Sequence, residues 1–367
     1  MFPIDTGLWG KCHIQGIAVD EAKGFIYYSF TTKLVKARLR DGTIVGTVDG
    51  LLGHMGCIDF DPETGYVFGS LEYKHDVIGQ GVLKAIRREG QENTPVTQAQ
   101  MELPEEDAFY MAIFDVDRIH RMDMNAEQDG IMKAAYLKEV VSDYRGEGSD
   151  RSGAKVPHRY GCSGIDGTAV APAISDGDAA NPSIFVAYGI YDDLNRDDND
   201  HQILLEYSRD ELIRTARPLS QQQLHHSGPQ KPLRKFFVYT GNTEWGIQNL
   251  EYDPVRKVLW AAVYPGHKPW YPGFSLFAID TASQPVYGPL RGLNEKGWQL
   301  PLKQEGLYDG ESGTYGYMFP HGSTGLYLSP DGTAIISEHY RKDGQQGSLI
   351  WQYHYDGVLP FTRKLPL

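Results

Sequence analysis

Five copies of one two-strand pattern, spaced along 367 residues, predict an all-β ring: a five-bladed β-propeller of four-stranded antiparallel blades. Three observations carry this expectation. In each copy two alternating apolar stretches flank a short turn. Glycines and aromatic residues are abundant (41 Gly, 23 Tyr, 14 Phe, 6 Trp), as short strands joined by tight turns require. Further strand-like stretches follow each copy.

The copies read HIQGIAVDEAKGFIYYSF (13–30), HMGCIDFDPETGYVFGSLEY (54–73), CSGIDGTAVAP with PSIFVAYGIY (162–191), IQNLEYDPVRKVLWAAVY (247–264) and STGLYLSPDGTAIISEHY (323–340). Their turns are D-E-A-K-G, D-P-E-T-G, D-P-V-R-K and S-P-D-G, with a longer loop over 173–182 in the third copy. Pro presets φ, Asp bonds nearby backbone and Gly accepts positive φ, so these are hairpin turns, and Asp20, Asp61, Asp253 and Asp331 in them are structural. Third strands are expected at 33–39, 109–117, 201–208, 274–280 and 348–355, and outer strands at 43–48, 132–140 and 234–240. The stretch 75–107 reads as an insertion with a short helix at GVLKAIRRE. One domain, 1–367, is thus divided into blades at 11–53, 54–158, 159–243, 244–318 and 319–367. Either MFPIDTG or the C-terminal FTRKL closes the ring.

The first copy, GIAVDEAKGFIYYSF, resembles NHL-repeat blades and, more loosely, those of gluconolactonase-like propellers. The likeness rests on turn and core positions, so it implies the fold and no activity. The metal ligands of gluconolactonase-like enzymes find no residue-by-residue counterparts here.

A net charge of −13 disfavours nucleic acid and anionic membranes, whose recognition rests on Lys and Arg. No apolar run is long enough to span a bilayer. Cys12, Cys57 and Cys162 are odd in number and match no zinc spacing, which suits reduced thiols and a cytoplasmic location. A secreted chain whose leader had been removed would read the same. A small-molecule substrate is the expected partner.

In a propeller, the loops entering each first strand and leaving each second strand meet at one end of the channel. The entering loops carry His13, His54, Tyr160, Trp245 and His321, with Gln15 and Gln248 just inside the strands. His13, His54, His321 and Gln248 form a candidate ligand set for a divalent ion such as Mn, Zn or Ca. The arrangement is similar to that of oligogalacturonate lyases, propellers that hold manganese with histidines and a glutamine. The competing reading is that these side chains bond channel water and backbone. The leaving loops carry Glu72, Tyr73, Tyr191, Tyr264, His267, Glu338, His339, Tyr340 and Arg341. Glu72, Glu338 and His339 are candidate proton carriers. Tyr73, Tyr191, Trp245, Tyr264, His267, Tyr340 and Arg341 are candidate substrate contacts. Asp59, Asp166 and Glu251 each follow the repeat's Ile or Leu, either as separated catalytic acids or as bonds to neighbouring backbone. In DDLNRDDND (192–200), Asp193, Asn195 and Asp197 alternate as calcium would require, or form a solvated acidic loop. Trp270 and Tyr271 are placed either over the channel mouth or on a neighbouring blade. Together these features suggest a metal-dependent hydrolase or lyase acting on a small polar, sugar-derived substrate; the alternative is a non-catalytic propeller that binds a ligand or protein.

Overall fold

The computed structural model describes residues 2–77, 79–84, 106–174, 182–357 and 359–364. Its principal sheets are five antiparallel blades arranged in a ring, the five-bladed propeller that the repeat predicts. The innermost strands are Ile14–Asp20, His54–Asp61, Cys162–Pro172, Thr243–Asp253 and Leu326–Leu328. Each is followed by its hairpin partner, at Phe25–Phe30, Tyr66–Tyr73, Pro182–Ile190, Val258–Pro265 and Thr333–Lys342. The turn aspartates act as the sequence implies: Asp20, Asp61, Asp253 and Asp331 each accept a backbone N–H two or three residues on. The turn's left-handed position is Gly24, Gly65 or Gly332 in three copies and Lys257 in the fourth. Glycine takes that conformation without steric cost, and Lys257 takes it at a cost.

Third strands run at Lys33–Arg38, Ala108–Asp115, His201–Ser208, Leu276–Asp280 and Gln345–Tyr355. Blades 1 to 3 add the expected outer strands at Ile44–Asp49, Met132–Tyr136 and Arg234–Tyr239. Blade 4 has three strands. Its outer edge is covered by single bridges from Leu302 and Tyr317, because the intervening hairpin, Val286–Pro289 with Lys296–Gln299, leaves to extend blade 3. Blade 5 closes the ring with both chain ends. Ile4–Leu8 pairs with residues 347–350 of Gln345–Tyr355, and Phe361–Arg363 pairs with residues 353–355. Residues 81–84 of the predicted helix GVLKAIRRE are helical, and its remainder, like 175–181 of the long third-copy loop, lies outside the described residues.

Apolar clusters fill the spaces between blades, and polar contacts tie the inner strands across the channel. Asn249, fully buried, donates to the Gln15 and Ser323 carbonyls at 2.8 Å each, and its Oδ1 lies 3.4 Å from Cys57 Sγ. That one side chain links blade 4 to blades 1, 5 and 2. It lies between Gln248, which lines a cavity at one mouth, and Glu251, which lines a cavity at the other.

Candidate functional site

The upper cavity, about 240 Å³, lies at the end where first strands begin and second strands finish. His13, Gln15, His54, Glu72, Lys74, Asp166, Trp245, Gln248 and Tyr264 line it. Strand alternation explains its base. On Tyr66–Tyr73 and just beyond, Glu72 and Lys74 face the cavity, and Tyr73 between them faces the other way.

Glu72 is 3% exposed and saturated with partners. Its Oε2 accepts the Ile165 amide at 3.0 Å, and its Oε1 lies 2.7 Å from Lys74 Nζ and 3.5 Å from His54 Nδ1. Lys74 also donates to the Ser163 carbonyl at 2.7 Å and lies 3.6 Å from Asp76. Burial opposes ionisation of Glu72, but the Lys74 charge and His54 outweigh it and hold the carboxyl below its usual range. Burial likewise opposes the charge on Lys74 and His54, and Glu72 beside them raises both. The base of the cavity therefore carries an ionised pair.

Asp166 differs. Desolvation pushes its pKa up to about 7, with nearby Glu72 adding to the rise and His54, the Cys57 amide and Lys74 countering it. Its Oδ1 accepts that amide at 3.2 Å. Two glycines make room for these acids. A Cβ at Gly56 would collide with Asp166 Oδ1, and one at Gly164, at φ +129°, would collide with Glu72 Oε2.

Above this base, His13 is pushed down to about 4 by burial and by the neighbouring His339, His54 and Arg341. The His13 and His339 rings lie 6.1 Å apart, and His339 contacts Gln346 at 2.9 Å. Trp245 and Tyr264 form an aromatic wall, extended outward by Tyr191, whose ring is 6.1 Å from Trp245 and whose hydroxyl donates to Asp76 at 2.7 Å. His267 sits on the exposed rim, paired with Asp192.

The structure thus gathers His13, His54 and Gln248 at one cavity but leaves His321 outside it, against Phe319 and Tyr353. Glu338 is also turned away: the Tyr353 hydroxyl donates to it and Arg363 lies at 2.5 Å. Tyr340 donates to Asp5 at 2.8 Å, within the ring closure, and Arg341 is exposed. Tyr73 is not a cavity contact; it is fully buried in the core, with its hydroxyl on Gln221 at 2.9 Å. In the acidic loop, Asp197 pairs with Arg151 at 2.8 Å, and Asp193 caps the Asn195 amide. Trp270 lies under Arg151 and Tyr271 donates to Asp200, away from the channel. Among the described residues no three His, Cys, Asp or Glu side chains converge as a metal-holding set.

Lys74 went unassigned in the sequence reading, although the alternation E-x-K announces it. Asp166 was grouped with Asp59 and Glu251 as equivalent acids. The structure separates them, with Asp166 at the upper cavity and the other two at the lower. All three inner strands shift register, but in Cys162–Pro172 a shift falls at Asp166, between Ile165 and Thr168, whereas in the other two the shifts fall before Asp59 and Glu251, which breaks the equivalence.

No family model matches the sequence, and neither does any curated protein. Solved structures similar in overall shape include a GH43 β-1,3-galactosidase with galactodeoxynojirimycin (TM-score 0.42, 12% identity, 99% of this chain and 98% of that one). The β-propeller domain of Cps50 (Swd1) from Myceliophteria thermophila is another (TM-score 0.32, 10% identity, 92% and 83%). The hydrazine synthase of Kuenenia stuttgartiensis also matches (TM-score 0.33, 11% identity, 97% of this chain), and the chain spans 66% of that protein's length. These likenesses are distant and say nothing of activity. The kinship to NHL-repeat and gluconolactonase-like blades goes no further than the propeller itself.

Proposed function

We propose that this propeller is a proton-transferring enzyme, a hydrolase or lyase that takes a small polar, sugar-derived substrate in the upper cavity. The observation that carries the reading is Asp166, a buried carboxyl poised near neutral pH beside the ionised Glu72–Lys74 pair and His54. A general acid or base works best when its pKa lies near the working pH. Two environments that drive neighbouring carboxyls apart, Glu72 down and Asp166 up, are how one site holds an acid and a fixed charge together. In this reading Asp166 exchanges the proton, His54, 3.5 Å from Glu72, is the second carrier, and Lys74 keeps Glu72 ionised. Trp245 and Tyr264 offer faces to a sugar ring, and Gln15 and Gln248 offer amides to its hydroxyls. The cavity volume is below the ~300–1,000 Å³ typical of drug-sized ligands, which favours a single small unit.

The test is turnover of aldonolactones, aryl glycosides and uronides by the wild type and by Asp166→Asn. The expected result is activity with one substrate class and a loss of about 10²–10⁴-fold in kcat/KM for the variant, with its fold intact. Equal turnover by D166N overturns the role of Asp166. Saturable binding of these compounds with no turnover overturns the enzyme and leaves a ligand-binding propeller.

A further inference from the structure

The opposite mouth of the channel holds a larger cavity, about 470 Å³, built from all five blades at their hairpin-turn ends. Its walls are apolar, with Val19, Phe60, Val170, Tyr252, Tyr327 and Leu328 above a ring of turn prolines. Among the described residues no Lys, Arg or His lines it, whereas Asp20, Glu21, Asp59, Asp61, Glu63 and Glu251 all do. Two of these acids are neutralised from outside, because Arg209 reaches Asp61 at 3.3 Å and Glu63 at 2.5 Å.

Among the described residues, Asp59 and Glu251 have no such cation. Asp59 is 6% exposed and accepts the amides of Val170 and Phe60 at 2.7 Å each. Glu251 is 4% exposed, and its Oε1 accepts the Leu328 amide at 2.8 Å. Asp20, 2% exposed, keeps a buried Oδ2 without a partner among the described residues. A buried carboxyl oxygen that lines a cavity and bonds nothing is costly unless a ligand completes it.

We propose that the lower mouth is a second ligand site, which takes a small organic ammonium ion with its apolar body against the cavity walls and its charge on Asp59 and Glu251. An organic cation suits the apolar walls, against which its hydrocarbon body can be buried while its charge meets the acids. This site and the upper cavity share no lining residue, so its occupancy is tested apart from the chemistry proposed above.

Binding is linked to protons. Desolvation raises Asp59 to about 7 and Glu251 well above its ordinary value. The groups facing the pair add to the rise: Asp61 acts on Asp59, and Asp59 with Asp253 acts on Glu251, while Glu21 and Tyr327 lie at the same mouth. The empty site is therefore largely protonated at pH 6. An entering ammonium keeps its own proton and favours the ionised carboxylate, so one carboxyl proton leaves to the buffer.

The experiment is calorimetric titration with cyclohexylammonium chloride, in buffers of different ionisation enthalpy, with cyclohexanol as the neutral control. Saturable binding about tenfold tighter at pH 8 than at pH 6 is expected, with proton release at pH 6. Cyclohexanol binds at least about tenfold more weakly if the charge matters. Glu251→Gln removes the charge but keeps the acceptor for Leu328; Ala22→Phe fills the exposed lip without touching the acids. Both lose binding, and Asp166→Asn retains it whether or not the upper site is catalytic. The proposal is overturned by no saturable binding at either pH, by cyclohexanol binding equally, or by both lower-mouth variants binding like the wild type.

Discussion

Glu72 reaches 93 residues along the chain, into the next blade, to accept the Ile165 amide at 3.0 Å. One carboxylate therefore sews blade 2 to blade 3 and, through its other oxygen, holds Lys74 at the base of the upper cavity. Blade packing and site electrostatics meet in this side chain.

Its removal tests that double role. Glu72→Gln leaves Lys74 buried without its closest counter-charge, and Lys74→Met leaves Glu72 with the Ile165 amide and His54 but without its closest cation. Each is expected to cost about 3–5 kcal/mol, and the double variant less than the sum. Urea denaturation of the four proteins measures this. Strict additivity would show that the pair is not coupled.

Gly164→Ala approaches the same bond from the backbone. At φ +129° an L side chain is strained, and the new Cβ runs into Glu72 Oε2. A loss of at least about 2 kcal/mol is expected. Thermal unfolding within a degree or so of wild type would count against the Glu72 anchoring described here.

The acids with raised pKa set the pH dependence. Asp166 and Asp59 rise from 3.8 unfolded to about 7 folded, so between those values the native state binds more protons than the unfolded chain. Stability contributed by these groups is full below about pH 4, falls as pH rises, and is lost above about 7. His54, also raised in the folded state, loses its contribution in the same direction as pH climbs through its folded value. Asp166→Asn should flatten the decline between pH 4 and 7 and raise stability at pH 8. Equilibrium denaturation across pH reads this directly, and a slope unchanged in D166N would refute the assignment.

Asn249→Leu should strip the Gln15 and Ser323 carbonyls of their buried donor. A cost of about 2–4 kcal/mol follows from two unpaired acceptors. Because the residue joins blades 4, 1, 5 and 2, unfolding should stay a single transition as it moves to lower denaturant.

Ring closure by both chain ends predicts sensitivity at both. Ile4 is 2% exposed and Phe361 is 3% exposed. Ile4→Ala is expected to cost about 2–5 kcal/mol and Phe361→Ala about 3–5 kcal/mol. A silent substitution at either end, in chemical denaturation, would mean that the other end closes blade 5 alone.

The sequence by itself determined the propeller, because a hairpin is a local object. Alternation in IAVD and FIYYSF, with an Asp-led turn between them, needs no distant partner to be read, and five such hairpins leave one closed arrangement of apolar faces. It also brought His13, His54 and Gln248 to one mouth, since strand direction fixes which loops meet. Tyr73 was misread although the information was present: alternation alone turns it away from Glu72. Only the tertiary structure decided the rest. Whether Asp59, Asp166 and Glu251 share a level depends on a register shift between Ile165 and Thr168, which arises from pairing and not from spacing. The pKa of Asp166 depends on what surrounds it, and the Lys74 partner of Glu72 became a buried counter-charge only once blade 3 covered both. Both chain ends could pair with blade 5, because Gln345–Tyr355 is long enough for two short strands to lie along it in tandem.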